Sequence, residues 1–432
     1  MRSVDFADHL RASASSFDPP VRSLMDVDFY KFTMGQFIFR RYRDVEVVFK
    51  LIVRDPTIPI STMVDESMLR KCLDYVRDLR FKKTDLYYLR GQDLYELNMF
   101  SEDYLAFLKN LQLPPYSLKK GDGGYELTFI GSWAEVTYWE TIALAIISEL
   151  YYRAVLKNVS KHVLEMTYVR AMDKLFTKLE QMQGYPRIRF ADFGQRRRHS
   201  FLWQEWAIGM CKQMMGAQFT GTSNTWMAFK HDLDAIGTNA HELPMVLTAL
   251  ADSEDEMRNA QYVVPKLWQE DYRGGLRIML PDTYGSVQYF AGAPAWLAEW
   301  RGQRQDSGDP IKEGERYMRW LAMLGVDAKE RISIFSDGLD VGPMFKIDGH
   351  FGNRHPHPYG WGTMLTNDFT NCQTGNPNLR PFSMVCKVVA ANGRPCVKLS
   401  NNPTKATGPK EEVERYKRIF GTEGHVIEKV AV

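Results

Sequence analysis

Residues 233–244 read LDAIGTNAHELP, an apolar run that ends with His241 directly before Glu242. An imidazole in that place has two readings. Its ring nitrogen can accept a transferred group, or the residue caps a helix that begins at ELP. Residues 304–310, RQDSGDP, set Arg304 near Asp306, so a guanidinium could face a phosphate while a carboxylate accepts from sugar hydroxyls. The plainer reading is an Asp/Ser/Gly-Pro turn leading into a helix. Residues 334–340, IFSDGLD, repeat the recipe with Ser336, Asp337 and Gly338. Residues 359–368, YGWGTMLTND, then add Gly360 and Gly362, which let backbone N–H groups approach an anion, and the Thr363 hydroxyl.

A second kind of chemistry sits in FGQRRR, residues 193–198. Phe193 can stack on a flat anionic ring whose carboxylate a nearby arginine binds. The alternative is a core phenylalanine with solvated arginines at Arg197 or Arg198. DVDFYKFTMGQ, residues 26–36, carries Tyr30 between Asp28 and Lys31, which by itself is an amphipathic helix start.

These stations need elements to hold them. Short β-like runs recur through the middle of the chain (RIRFADFGQRRR, AQFTGTSN, LDAIGTNAHE, GLRIMLPDTYG, RISIFSDGLD), separated by segments long enough for helices. Such alternation predicts a parallel α/β architecture, and polar residues gathered after successive strands predict a barrel with its site at the C-terminal face. A doubly wound open sheet would also place ligands beyond the strand ends. Six or seven stations favour the barrel. In front, VEVVFKLIVR and YELTFIG read as strands, WAEVTYWE as a further strand, and a helix runs from about Trp139 past Tyr152. At the end, CKVVAANGRPCVKLS is a hairpin through Asn392-Gly393, expected to join the N-terminal strands. The expected organisation is an N-terminal α+β segment over 1–140, an α/β barrel with the site over 141–375, and a C-terminal hairpin and helix over 376–432 packing on the N-terminal segment. The first ~20 residues, closed by Pro19-Pro20, read as a loosely held leader.

With Lys+Arg 55 against Asp+Glu 53, the net charge of +2 offers no global field for nucleic acid, so an anionic ligand needs a local basic cluster. Five scattered cysteines without a CxxC pair argue against a disulfide framework or a zinc site and fit a reducing cytosol. MRSVDFADHL lacks the apolar core of a signal peptide and IALAII is too short for a membrane span, so a cytoplasmic protein without membrane contact is expected. His350, His355 and His357 fall within DGHFGNRHPHPYG, expected as a proline-punctuated surface loop rather than a metal site.

DVDFYK, DFGQRRR, GTSN, GTNAHE, RQDSGDP, FSDGLD, GWGT and KLSNNPTK, in this order over residues ~26 to ~408, closely resemble the nicotinate phosphoribosyltransferase family. The resemblance implies a barrel-like type II phosphoribosyltransferase fold with a second α+β domain. It implies transfer of the phosphoribosyl group of 5-phosphoribosyl-1-pyrophosphate to nicotinate, coupled to ATP hydrolysis through a phosphohistidine at His241, with Asp282 as its carboxylate partner. Nicotinate would lie between Phe193 and Tyr30, the tyrosine coming from the partner subunit of a homodimer with shared active sites, and beside Arg196. Ser223 would stand where nicotinamide-using relatives carry an aspartate; a neutral serine there does not repel a carboxylate. Arg304, Asp306, Ser336, Asp337, Gly362 and Thr363 would hold the phosphoribosyl group. Lys398, Lys405 and Arg54 would meet ATP or pyrophosphate. Mg²⁺ would come with the polyphosphates, with no protein metal cage. Two other readings are a nicotinamide-using phosphoribosyltransferase and a barrel that binds phosphoribosyl metabolites without turnover.

Overall fold

The protein is described by a computed structural model over residues 1–121 and 124–428. In chain order its strands are β1 (Glu46–Val53), β2 (Tyr116–Gly121), β3 (Gly124–Ser132), β4 (Phe190–Asp192), β5 (Phe219–Thr222) and β6 (Ile278–Met279). Then come β7 (Gly302–Gln305), β8 (Ile332–Phe335), β9 (Tyr359–Trp361), β10 (Met384–Ala391) and β11 (Arg394–Pro395). They form two sheets, one of five strands in the order β11-β10-β1-β3-β2 and one of six in the order β5-β4-β9-β8-β7-β6.

The first sheet is antiparallel, and its alternation shows in β1, where Val47, Phe49 and Leu51 point to the core. Asn392 (φ 45°) and Gly393 (φ 76°) both take the left-handed conformation that a tight hairpin turn needs. That turn returns β11 to β10, and β10 pairs with β1 from Val47↔Ala391 to Val53↔Met384. The two ends of the chain thus share one sheet. The C-terminal helix Lys410–Phe420 does not follow the hairpin onto the N-terminal segment as expected. It packs on helix Glu254–Asp271, and Phe420 stacks on Tyr284 at 4.1 Å, because its apolar stripe matches the one those elements leave open.

The second sheet is parallel, as the alternation of short strands and helices predicts. Its ladders do not close into a ring among the described residues. The residues after β5 continue the wall instead: Thr222 bonds Asp234 O (3.1 Å) and Ile236 N bonds Thr222 O (2.9 Å). The Asn239 side chain then reaches the Ile278 carbonyl of β6 at 3.1 Å. Among the described residues the expected barrel thus has no ladder between β5 and β6, and the segment after β5 and this one side-chain bond span the gap.

Two further expectations are corrected. WAEV is a helical turn (Trp133–Val136) rather than a strand, with Trp133 N bonded to Val45 O at 2.8 Å. The leader is not loose: helix Ser3–Ser13 lies on helix Lys161–Gln183, with buried Phe6 stacked on Tyr168 at 5.0 Å. Helix Trp139–Leu156 runs across residue 140 and is buried on nearly all sides, as its continuous apolar sequence requires. No helix among the described residues is long and apolar enough to cross a membrane.

What joins the two halves is ionic. Lys31, fully buried in helix Tyr30–Arg41, lies 2.7 Å from Glu140 in helix Trp139–Leu156 and 2.7 Å from Glu242 in helix Glu242–Leu250. Thr137 accepts a third bond from the ammonium (3.2 Å), and Trp133 Nε1 donates to Glu242 (2.6 Å). Burial pushes the Lys31 pKa down, but the two carboxylates outweigh it and hold the ammonium charged. Deleting one member of a buried cluster strands the others in low dielectric, at a cost of about 3–5 kcal/mol. Lys31→Met is expected to lower stability by that order, read as the denaturant midpoint. Arg90→Ala, which removes the exposed Arg90–Glu102 pair, should cost under about 1 kcal/mol.

Candidate active site

The loops that follow the parallel strands open on one pocket of about 680 Å³, and every expected site residue except Asp282 lines it. Ten basic side chains against five acidic ones face this space in a chain of net charge +2, so the local cationic cluster expected for an anionic ligand is here.

At one end are two rings. Phe193, just past β4, sits over Gly360, whose added Cβ would come 2.3 Å from the ring, so only glycine leaves the ring its seat. Tyr30 comes from the same chain, not from a partner subunit as expected, because helix Tyr30–Arg41 is fastened beside the site by Lys31. An added Cβ at Gly237 would fall 2.7 Å from Tyr30 N, so the loop before His241 also depends on a glycine there. Among the described residues neither ring stacks on another aromatic side chain.

Arg196 Nε lies 3.3 Å from Asp28 Oδ2 and its Nη1 lies 3.9 Å from Glu140. Ser223 Oγ donates to Asp28 Oδ1 at 2.6 Å. A carboxylate therefore stands directly behind the serine, and the neutral serine alone does not set the charge at this end. Asp28 is buried, its Oδ2 accepts no hydrogen bond, and burial raises its pKa against the pull of Arg196. The expectation of solvated arginines next door fails. Arg198 is fully buried, gripping both Asp26 oxygens at 2.8 Å, and Arg197 lines the pocket. Burial, with Arg196 and Arg54 close by, brings the Arg197 pKa down to about 10.

At the other end, RQDSGDP forms the turn into a helix and also faces the pocket. Asp309 caps helix Pro310–Met323, while Arg304 and Asp306 turn into the pocket. Arg304 donates to Asn239 O (3.0 Å) and leaves its Nε buried without an acceptor. Ser336 Oγ donates to Asp306 Oδ1 at 3.2 Å. Lys405 pairs with Asp337 and reaches Asp306 O at 3.3 Å, and Arg54 donates to Lys405 O at 3.3 Å. Burial makes the Arg54 guanidinium a weaker base than usual. Gly362 and Thr363 open the turn Thr363–Thr366 on the same side. Lys398, buried, stands 3.8 Å from Asp282 Oδ2; burial lowers its pKa to about 8 although Asp282 and Asp306 pull the other way.

His241 lies between these ends. Its backbone is the N-cap of helix Glu242–Leu250, yet its side chain makes no capping bond. Nδ1 meets Thr283 Oγ1 at 2.9 Å and Nε2 meets Asp306 Oδ2 at 3.1 Å. Asp282, the expected partner, is 3.7 Å from Nε2, beyond hydrogen-bond range, because its Oδ2 is engaged by Ser307 Oγ at 2.6 Å. Its Oδ1 is buried without a donor. Burial and Lys398 outweigh the two carboxylates and bring the His241 pKa down to about 4, so the ring is neutral at pH 7 and keeps a lone pair. One ligand atom each from His241, Asp282 and Asp306 lie within 4.8 Å of one another, a nitrogen and two carboxylates that suit a divalent cation.

Sequence reasoning missed Thr283, Lys387, Glu140 and the pocket role of Asp28. Thr283 is the neighbour of Asp282 and Asp28 of Tyr30, so proximity was the only available signal. Lys387 and Glu140 carried none. The histidine-rich segment runs as a loop at the surface, with Asn353, Arg354 and Pro356 exposed, but two of its histidines turn inward. His355 is buried between Ala328 O (2.8 Å) and Ser333 Oγ (2.8 Å), and His357 contacts Asp348 at 3.1 Å. They are struts leading into β9.

Residues 188–424 match the Nicotinate phosphoribosyltransferase (NAPRTase) family, and residues 25–148 match the NAPRTase N-terminal domain. The structure is similar to that of nicotinate phosphoribosyltransferase from Vibrio cholerae: TM-score 0.83, 29% identity, 96% of this chain and 95% of the other covered. It is also similar to the Porphyromonas gingivalis enzyme, with TM-score 0.82, 28% identity, and 93% and 100% covered.

The depressed His241 pKa has a sign. Between about pH 6.5, where an unfolded histidine titrates, and about 4, the unfolded chain binds a proton that the folded site refuses. Stability therefore falls as pH drops through that window and is indifferent to His241 above it. Paired denaturation curves of wild type and His241→Asn should diverge only there, with the variant less acid-sensitive.

Proposed function

The chain belongs to the nicotinate phosphoribosyltransferase family, and we propose that it joins nicotinate to 5-phosphoribosyl-1-pyrophosphate, yielding nicotinate mononucleotide and pyrophosphate, with ATP hydrolysis coupled through His241. The observation that supports this best is the pocket itself, in which two unstacked rings, a neutral buried histidine and a basic phosphate end share one cavity. A module that only binds phosphoribosyl compounds has no use for such a histidine.

Nicotinate stacks between Phe193 and Tyr30 with its carboxylate towards Arg196. Arg304, Asp306, Ser336, Asp337, Gly362 and Thr363 hold the phosphoribosyl group, with Arg54, Lys398 and Lys405 on the polyphosphates. The pyridine nitrogen attacks C1 of the ribose as the bond to pyrophosphate breaks, so the protein contributes positioning and charge stabilisation rather than acid–base chemistry. In the coupling half Asp306 turns away from Nε2, Nδ1–H donates to Thr283 Oγ1, and the freed Nε2 lone pair attacks the γ-phosphorus of ATP as the bond to ADP breaks. Asp282 and Asp306 would meet Mg²⁺ delivered by the polyphosphates, which neutralises part of their charge.

A nicotinamide-using reaction draws support from Asp28, whose Oδ2 pairs with Arg196 at 3.3 Å but accepts no hydrogen bond and could accept one from an amide. Product formation from each base, with phosphoribosyl pyrophosphate and Mg²⁺, separates the two; turnover of nicotinamide but not nicotinate would overturn the substrate assignment. ATP should stimulate the reaction, and γ-labelled ATP should leave an acid-labile label that His241→Asn abolishes along with the stimulation. The basic limb belongs to Lys398: kcat/KM for phosphoribosyl pyrophosphate should fall as pH rises through about 8, and Lys398→Arg should remove that limb.

A further inference from the structure

The pocket is longer than the reaction requires. Beyond the residues after the strands, its lining includes residues before them: Arg301 ahead of β7, Arg331 ahead of β8 and Pro358 ahead of β9. From Arg331 to Asp337 the β8 backbone covers about 20 Å at ~3.3 Å per residue, and the cavity follows it throughout. The interior of a parallel barrel is normally filled by layered side chains. Here the pattern is reversed. Ile332 and Ile334 of β8, which line the cavity, are more exposed than Ser333 and Phe335, which face away from it. Thr220 of β5 is likewise exposed into the cavity between buried neighbours. The cavity therefore runs along the inner face of β8 from one end of the strand to the other, with an aliphatic throat.

The far mouth carries Arg277, Arg301 and Arg331, with Glu299 and Glu330. Arg277 is tied down by the Tyr272 and Gln269 carbonyls, both at 3.2 Å, and Arg331 by Ala298 O at 2.8 Å. Arg331 and Glu330 are loosely paired at 3.6 Å, and Arg301 and Glu299 are exposed. The balance is positive there and more so at the reacting end.

On the assignment of nicotinate as substrate, we propose that nicotinate reaches the two rings through this axial channel from the far mouth. Arg54, Lys398 and Lys405 lie at the strand C-terminal side, so on that assignment the two polyphosphate substrates would fill the near opening once bound. A pyridine carboxylate is an anion at neutral pH. It is drawn by the arginines, passes the isoleucines with its ring, and arrives carboxylate-attracted at Arg196. The cavity volume is in the range that accommodates a drug-sized molecule, larger than nicotinate.

Two variants test the route without touching the reacting groups: Arg301→Glu at the mouth and Ile332→Trp in the throat. Stopped-flow fluorescence gives the association rate of nicotinate with the protein saturated in phosphoribosyl pyrophosphate and Mg²⁺, and steady-state assays give kcat/KM for each substrate. The expected result is a fall of about threefold to tenfold in the nicotinate association rate and kcat/KM in both variants. The association rate should lose its salt dependence in Arg301→Glu, while kcat and kcat/KM for phosphoribosyl pyrophosphate stay as in wild type. Unchanged nicotinate rates in both variants, or equal losses for both substrates, would overturn the channel route. A wild type that binds no nicotinate would overturn the functional assignment itself, and the route with it.

Discussion

One ammonium group decides the geometry of the site. Lys31 sits between Glu140 and Glu242, fully buried from solvent, so the three helices that bring these groups together must stay in register. Each neighbour then inherits a fixed place. Tyr30 precedes Lys31, His241 precedes Glu242, and Glu140 also holds Lys387 (3.4 Å) and faces Arg196. The ring at one end of the pocket and the imidazole at the middle are thereby positioned by a single buried contact. A hydrophobic substitute could match its stability, but it would lack the two-sided directional demand that a paired charge makes.

The same economy shows in how the two sheets are used. The parallel wall contributes Phe193, Arg304, Asp306, Ser336 and Asp337. It supplies neither Tyr30 nor the lysines. Those come from the chain ends, which β1 and β10 join in one antiparallel sheet, and Lys387 lies in β10 itself. The end of the pocket that holds Tyr30, His241 and the lysines exists only where the sheets meet, so neither half alone would assemble the proposed site.

Much of this was legible in sequence because the chemistry lies in contiguous strings. RQDSGDP, FSDGLD and GWGT each follow a strand, and local order fixes which loop they occupy. The antiparallel hairpin was legible too, since Asn392-Gly393 admits few other backbones. What escaped depends on distance in sequence. Glu242 had no readable role until Lys31, more than two hundred positions away, was seen beside it. Asp28 appeared as a helix flank, not as the carboxylate behind Ser223. His355 and His357 lie in the loop that the surrounding prolines imply, but their burial against Ser333 and Asp348, which decides their role, has no local signal. The leader misled for a related reason: its helix becomes stable only when Phe6 finds Tyr168.

The histidine itself shows why two carboxylates are not enough to define its chemistry. Asp282 and Asp306, both close, would in water make His241 a stronger base and hold its proton. Burial and the ammonium of Lys398 reverse that balance, leaving a neutral ring whose Nδ1 is occupied by Thr283. A ring that is charged cannot attack phosphorus, and one that is neutral but solvated has no reason to present one nitrogen rather than the other. Placing a neutral imidazole between a hydroxyl and a half-exposed carboxylate answers both requirements. Asp306, partly exposed and held by Ser336 at 3.2 Å, has more room to turn away when an anion arrives than Asp282, which is buried and held by Ser307 at 2.6 Å. The more fixed and the more movable carboxylate therefore divide the work, and this division fits a helix-start histidine to the phosphate-acceptor role proposed for it.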